Sequence, residues 1–328
     1  MRLSLHSLLT EARSALSWPD RLERALTAQA PFQFDPYSHT GTVDADSLVQ
    51  WDEWMREPGA ASLVGYRRAA SGSMHSWFPE VPKLGGDGHA AAFDGWMCDI
   101  RDVTALSASK ARLTLYSSLD DLAHAECVGM LEPGCYTADT VARYLDKAGV
   151  LPDGSFRRRG DHLEAAVWDG RLSWANTGGS HNFSAARCIA GAIGLQVPVM
   201  GRLKVRALSE ASIDFLNNGF AMFVVAGDPI AKTALLEALR IGGASYLSTS
   251  LPRPYVSDDG QVVFLPRGDE RSMRAAARMA KAGCFDLNGH LAELLETQRL
   301  VRAALFRQDD ACDTCDSEGD PGAMRPRG

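Results

Sequence analysis

The feature that most constrains how this chain folds is the run from Leu163 to Val205. It reads as an apolar strand, an Asp169-Gly170 hairpin turn, a second strand through Leu172-Trp174, a glycine turn, an alanine-rich helix and a Val197-Pro198-Val199 strand. The turn is Gly178-Gly179-Ser180-His181-Asn182, followed by Phe183 and Ala185-Ala186-Arg187. Two glycines at a strand-to-helix junction can turn backbone N–H groups toward a ligand, and the helix behind them adds partial positive charge. Such a junction suits an anion, above all a phosphate.

On either side of this run the period of the apolar residues sets the expectations. Leucines and alanines from Leu5 to Leu26 follow helical spacing with a break near Pro19, and Asp44 or Asp46 caps a helix carrying Leu48, Trp51 and Met55 to Pro58. Ser71 to Gly95 is glycine-rich and reads as loop, with His75 and His89 in it; Arg112 to Tyr116 alternates like a strand. Helices are expected over Asp120 to Cys127 and from Thr137 to Gly149. Beyond Arg206, helix and strand alternate. Ala211 to Leu216 is a helix, Phe220 to Val225 a buried strand and Ile230 to Leu239 a helix; a hairpin is expected about Ser257 to Gly260, then helices from Asp269 to Gly283 and from Leu287 to Phe306. The fold class is mixed α+β. The expected organisation is an α-rich region over 1–150, an α/β core with C-terminal helices over 151–307 and a disordered acidic tail over 308–328.

Composition bounds the function. A chain of 328 residues with a formal net charge of −7 is not built to coat nucleic acid, although Arg157-Arg158-Arg159 leaves a local contact open. Seven cysteines scattered over the chain are an odd set and read as reduced thiols in a cytoplasmic protein. No stretch approaches the roughly twenty apolar residues of a membrane span. His124 and Cys127 share a helix face, and Cys312 and Cys315 form a CxxC in the tail, which together would suit a metal- or thiol-dependent enzyme. Without a second ligand pair at matching spacing, a buried thiol beside a surface histidine is the favoured reading of the first pair.

The motifs Val167-Trp168-Asp169-Gly170-Arg171-Leu172, Gly179-Ser180-His181-Asn182, Ala185-Ala186-Arg187, Gly194 and Val197-Pro198-Val199 resemble the core of the ParB/sulfiredoxin-like superfamily, over residues 162–206. They are also similar to an uncharacterised group of bacterial and phage proteins with a Gly-Gly-Ser-His turn. The superfamily resemblance implies a nucleotide whose phosphates lie on the glycine turn. Gly178, Gly179, Ser180, His181 and Asn182 would contact the ligand, Arg187, or Arg171 or Arg157 to Arg159 brought near by the hairpin, would help neutralise it, and His181 would be the candidate catalytic group. It further implies a nucleoside triphosphate with Mg and a nucleotide-dependent hydrolase or phosphotransferase. Asn182 stands where the superfamily carries arginine, and an asparagine can donate a hydrogen bond but cannot neutralise charge. The alternative is a non-enzymatic protein that uses the same core as a scaffold for DNA or a protein partner.

Overall fold

The computed structural model describes residues 17–29, 32–37, 41–55, 63–85, 91–255 and 260–306. Two sheets, each covered by helices, make a mixed α+β fold. The first sheet has five strands, β3 (Ala91–Asp99), β4 (Ala105–Leu106), β5 (His162–Ala166), β6 (Arg171–Ala175) and β7 (Pro198–Arg206), in the order β3-β7-β5-β6-β4. β5 and β6 form the antiparallel hairpin turned by Asp169 and Gly170, while β7 returns parallel to β5 after helix α4 (Ser180–Ala192). A parallel return needs a crossover, and α4 supplies it. Helices α2 (Leu119–Glu126) and α3 (Ala138–Ala148) pack against α4, so that Val141, Leu145, Phe183, Ala186 and Ile189 share a core with Leu163, Trp174 and Leu203. Trp174 is at its centre, with ring centroids 5.5 Å from Phe156 and 4.6 Å from Phe183.

The second sheet has six antiparallel strands. β8 (Phe220–Val225), α6 (Pro229–Ile241), β9 (Tyr246–Ser250), β10 (Gln261–Pro266), α7 (Glu270–Lys281) and β11 (Phe285–Asp286) follow one another, and the sheet order β11-β8-β10-β9 is the split βαβ arrangement of ferredoxin-like folds. The hairpin of β1 (Val64–Arg68) and β2 (Met74–Trp77) extends it beyond β9. Every residue of β8 is buried because both of its faces are covered. One face packs on α6, α7 and α1 (Trp18–Gln29) through Leu22, Leu26, Leu235 and Met279. The other meets Trp51, Trp54, α5 (Glu210–Gly219) and the first half of α8 (Leu287–Phe306).

Helix α8 joins the two halves. Leu287, Leu291 and Leu295 belong to the core of the second sheet, while Val301, Leu305 and Phe306 pack on the core of the first. Buried Gln298 accepts from Leu208 N–H at 2.7 Å and donates to Leu208 C=O at 2.9 Å, which locks α8 to the segment leaving β7. Arg206 adds a second tie, donating at 2.6 and 2.8 Å to Asp52 and at 3.2 Å to Glu164.

The strongly periodic elements lie where the sequence places them, whereas short segments held by distant partners do not. Helix α1 begins at Trp18, beside the expected break, and Pro19 occupies its first turn, where a missing N–H costs nothing. Residues 45–53 are two 3₁₀ turns, Ala45–Ser47 and Trp51–Glu53, with Asp44 capping the first. Tertiary bonds override helix propensity there: Gln50 N–H donates to Arg253 C=O and Trp54 Nε1 to Ser250 C=O. The expected strand at 112–116 is a 3₁₀ turn, and the expected loop at 71–95 contains β2 and the start of β3. β10 pairs with Tyr246–Ser250 rather than with a strand at Tyr255. Both sheets draw strands from either side of residue 150, with β1 and β2 joining the second sheet and β3 and β4 the first. The first helix expected before Pro19, His89, Ser257 to Asp259 and the acidic tail lie outside the described residues.

Candidate functional site

The glycine turn forms as expected at the N-terminus of α4, but its neighbours give it a structural purpose. Gly179, at φ +84°, is the N-cap, and a Cβ on it would lie 2.4 Å from Ala148 C=O. Only glycine allows α3 to end against the start of α4. The carbonyl end of α3 therefore abuts the N-cap of α4, and its partial negative charge disfavours an anion beside it. Ser180 is buried and donates to Ser109 Oγ at 2.9 Å. Asn176, also buried, accepts from Ser107 and Ala108 N–H and donates to Ala108 and Gly178 C=O, which ties the turn to the 107–109 loop. His181 and Asn182 are half-buried; His181 C=O accepts from the Cys127 thiol, and His181 Nε2 meets no hydrogen-bond partner among the described residues.

Of the arginines expected to serve this turn, Arg187 and Arg171 are engaged elsewhere. Arg187 donates to Asp120 at 2.7 Å and to the carbonyls of Arg101 and Val103, pinning α4 to α2 and to the Ile100–Asp102 turn. Arg171 points from the hairpin toward Asp44 C=O, Ser47 Oγ and Asp169. The guanidinium beside the turn is that of Arg158, 3.5 Å from where a Cβ on Gly178 would sit. Buried Asp161 lies 3.8 Å from it and accepts from Thr177 N–H and Oγ1–H, so a fixed carboxylate accompanies the one nearby cation.

The cysteine and histidine candidates are dispersed. His124 is exposed and bonds Asp120 C=O, whereas Cys127 is buried with its thiol pushed up to about 11 by loss of solvation. Cys98 and Cys284 are raised by burial to about 12 and about 11, which makes them poor nucleophiles. Among the described residues no group of three acids, histidines or cysteines is placed to hold a metal ion, and Cys312 and Cys315 lie outside them.

The chemistry collects instead in a cleft of about 540 Å³ at the junction of the two halves. The β5–β6 turn contributes Trp168, Asp169, Gly170 and Arg171; α8 contributes His290, Glu293, Leu294 and Thr297; Tyr37, Thr42 and Trp51 close it from the N-terminal segment. Gly170, at φ +80°, lets the turn pack on α8, where a Cβ would be 3.3 Å from Val301. Asp169 is mostly buried, and loss of solvation raises its pKa against the pull of Arg171, whose Nε is 3.3 Å away. His290, 4% exposed, is driven down to about 4 by burial, so it is neutral at physiological pH. Its ring meets Trp51 at 5.6 Å, Phe285 at 5.7 Å and Tyr37 at 6.0 Å. Two buried polar atoms of the cleft residues, His290 Nε2 and Trp168 Nε1, meet no hydrogen-bond partner among the described residues. Each such atom costs about 1–3 kcal/mol, a penalty that a ligand able to reach it would relieve.

A cavity with aromatic walls, a carboxyl raised by burial and a histidine lowered by it has the make-up of a ligand or catalytic site. A second cavity, of about 430 Å³ beside Phe32, Phe34 and Phe285, brings only Gln29, Gln33 and the raised Cys284 thiol as side-chain polar groups. Sequence reasoning reached Asp169 and Arg171 through the hairpin and missed His290, Glu293, Tyr37 and Trp51. The segments that bring these residues together lie far apart in the chain, and a histidine in an amphipathic helix carries no signal of its own.

No helix among the described residues is long and apolar enough to cross a membrane. No curated protein and no solved structure matches the chain. Asp169, Arg171, His290 and Glu293 all lie within residues 93–304, which match the model of a family of unknown function (DUF6685), and the chain belongs to that family.

Proposed function

We propose that this protein binds a small polar molecule in the cleft between its two sheets, with Asp169 and His290 as the groups that exchange protons with it. The observation that carries this reading is the convergence on one cavity of a carboxyl raised by burial and a histidine lowered to about 4. Opposed shifts of two titratable groups in one cavity are the usual mark of groups that exchange protons with a ligand. A cytoplasmic setting is supported by the odd, scattered set of cysteines. The test is a fragment screen by thermal shift on the protein and on D169N. The expected result is one or more stabilising compounds whose effect falls at least tenfold in D169N with its circular dichroism unchanged. Hits that bind both proteins equally would overturn the reading.

A second reading keeps a phosphate-bearing ligand, a nucleotide with Mg, at Gly178 to Asn182 of a ParB/sulfiredoxin-like core. The position of Arg158 beside Gly178 and the absence of a side-chain cap on α4 favour it; the Ala148 carbonyl and Asp161 oppose it. Calorimetric titration with nucleoside triphosphates, with and without Mg, separates the two. Binding that disappears in R158A and persists in D169N would favour the turn over the cleft.

A further inference from the structure

The charges and rings of the cleft narrow its ligand. Among the described residues Arg171 is its one lining arginine, and that guanidinium is engaged by Asp169 at 3.3 Å, Asp44 C=O at 3.2 Å and Ser47 Oγ at 3.1 Å, with its side chain only 9% exposed. It is thus neutralised and coordinated before a ligand arrives, and an incoming anion would have to displace Asp169 from it. Among the lining acids, Glu293 remains: it stands exposed on α8 one turn after His290, outside the ion pairs of the described residues. The net charge of the described lining residues is therefore negative.

The walls agree with the charges. Tyr37 and Trp51 both approach the His290 ring, and Trp168, which carries the Arg206 guanidinium 5.4 Å from its ring centroid, lines the same cavity, so aromatic rings line the space that Glu293 borders. A neutral imidazole can also accept an N–H, and His290 Nε2 has no partner among the described residues. Aromatic faces, a carboxylate and a free imidazole acceptor together match a donor cation.

Resting on the cleft reading above, we propose that the ligand is a small organic cation, a protonated amine or guanidinium, held between the aromatic rings and the Glu293 carboxylate. The test uses benzylamine, benzyl alcohol and benzoate, which share one ring and differ in charge. Binding to the full chain is measured by calorimetry, and its location by the indole N–H NMR signals of Trp51 and Trp168, assigned from the Trp→Phe variants. Benzylamine is expected to bind about fivefold or more tightly than benzyl alcohol, the gain that one cation held by aromatic faces supplies. E293Q, altered at an exposed position that leaves the fold intact, is expected to erase most of that gap, as is high salt. Benzyl alcohol or benzoate binding as tightly as benzylamine while moving the two indole signals would overturn the cation and leave the cleft reading standing. Failure of all three to move those signals would overturn the cation as well, and with fragment hits equal in D169N the cleft itself would fall.

Discussion

Replacing His290 with phenylalanine tests the electrostatics of the cleft without a ligand. His290 is 4% exposed, and its pKa falls from 6.5 to about 4 because burial disfavours the charged ring. The folded pKa is depressed, so its contribution to stability is present in full above 6.5 and is lost as pH falls toward about 4, because the unfolded chain takes up a proton that the fold resists. A shift of this size, at about 1.4 kcal/mol per pH unit, amounts to about 3 kcal/mol in total and about 2 kcal/mol between about pH 8 and pH 5. Asp169 works in the opposite direction: its folded pKa is raised, so the stability it contributes is present at low pH and is lost as pH rises through that value. Comparing the protein with H290F cancels Asp169 and the other acids. Phenylalanine keeps the ring contacts to Tyr37, Trp51 and Phe285 and removes the orphan nitrogen. Urea unfolding followed by circular dichroism should show H290F equal to the parent, or about 1 kcal/mol more stable, at about pH 8. At about pH 5 it should gain a further advantage of about 2 kcal/mol. Parallel pH profiles for the two proteins would refute the buried, neutral histidine.

Three further substitutions test how the scaffold is held. G179A should destabilise the fold by about 2–4 kcal/mol, because the turn is left-handed and the new methyl meets Ala148 C=O; a loss under about 0.5 kcal/mol would mean that α3 does not abut the turn. N176A strips the partners from two N–H groups and two carbonyls of the 107–109 and 178 backbone, and a loss of about 3 kcal/mol in chemical denaturation is expected, with N176D no better because it cannot donate. R206A leaves Asp52 without its partner and strips Glu164 of its arginine at the junction of the halves and should cost about 3–5 kcal/mol, with R206K restoring little because it lacks the two-pronged geometry. Midpoints unchanged in either protein would contradict the bonding described.

The sequence made the repetitive parts of this fold legible. α3, with its Thr137 cap and left-handed Gly149, and α8 over Leu287–Phe306 follow from local period and caps, which act within a few residues. The Asp169-Gly170 hairpin follows from turn chemistry for the same reason. What failed was whatever distant partners decide. Asp44 to Glu53 carries helix-forming residues, yet bonds to Arg253 and Ser250 hold it as two tight turns. β9 was hidden because Tyr246–Ser250 gains its order from β1 on one side and β10 on the other. The glycine turn shows the same limit at the level of function. Its residues announce a close backbone approach, but they do not say whether a phosphate or another helix makes it, and here the C-terminus of α3 does. The cleft was illegible because Tyr37, Asp169 and His290 become neighbours only when α8 crosses both cores.

The most direct measurement of the central claim is a crystal structure of the protein with a stabilising hit from the fragment screen. Electron density for the compound is predicted between Trp168, Asp169 and His290, within reach of Glu293. Density over Gly178 and Arg158, with the cleft empty, would contradict the account and return the function to the glycine turn.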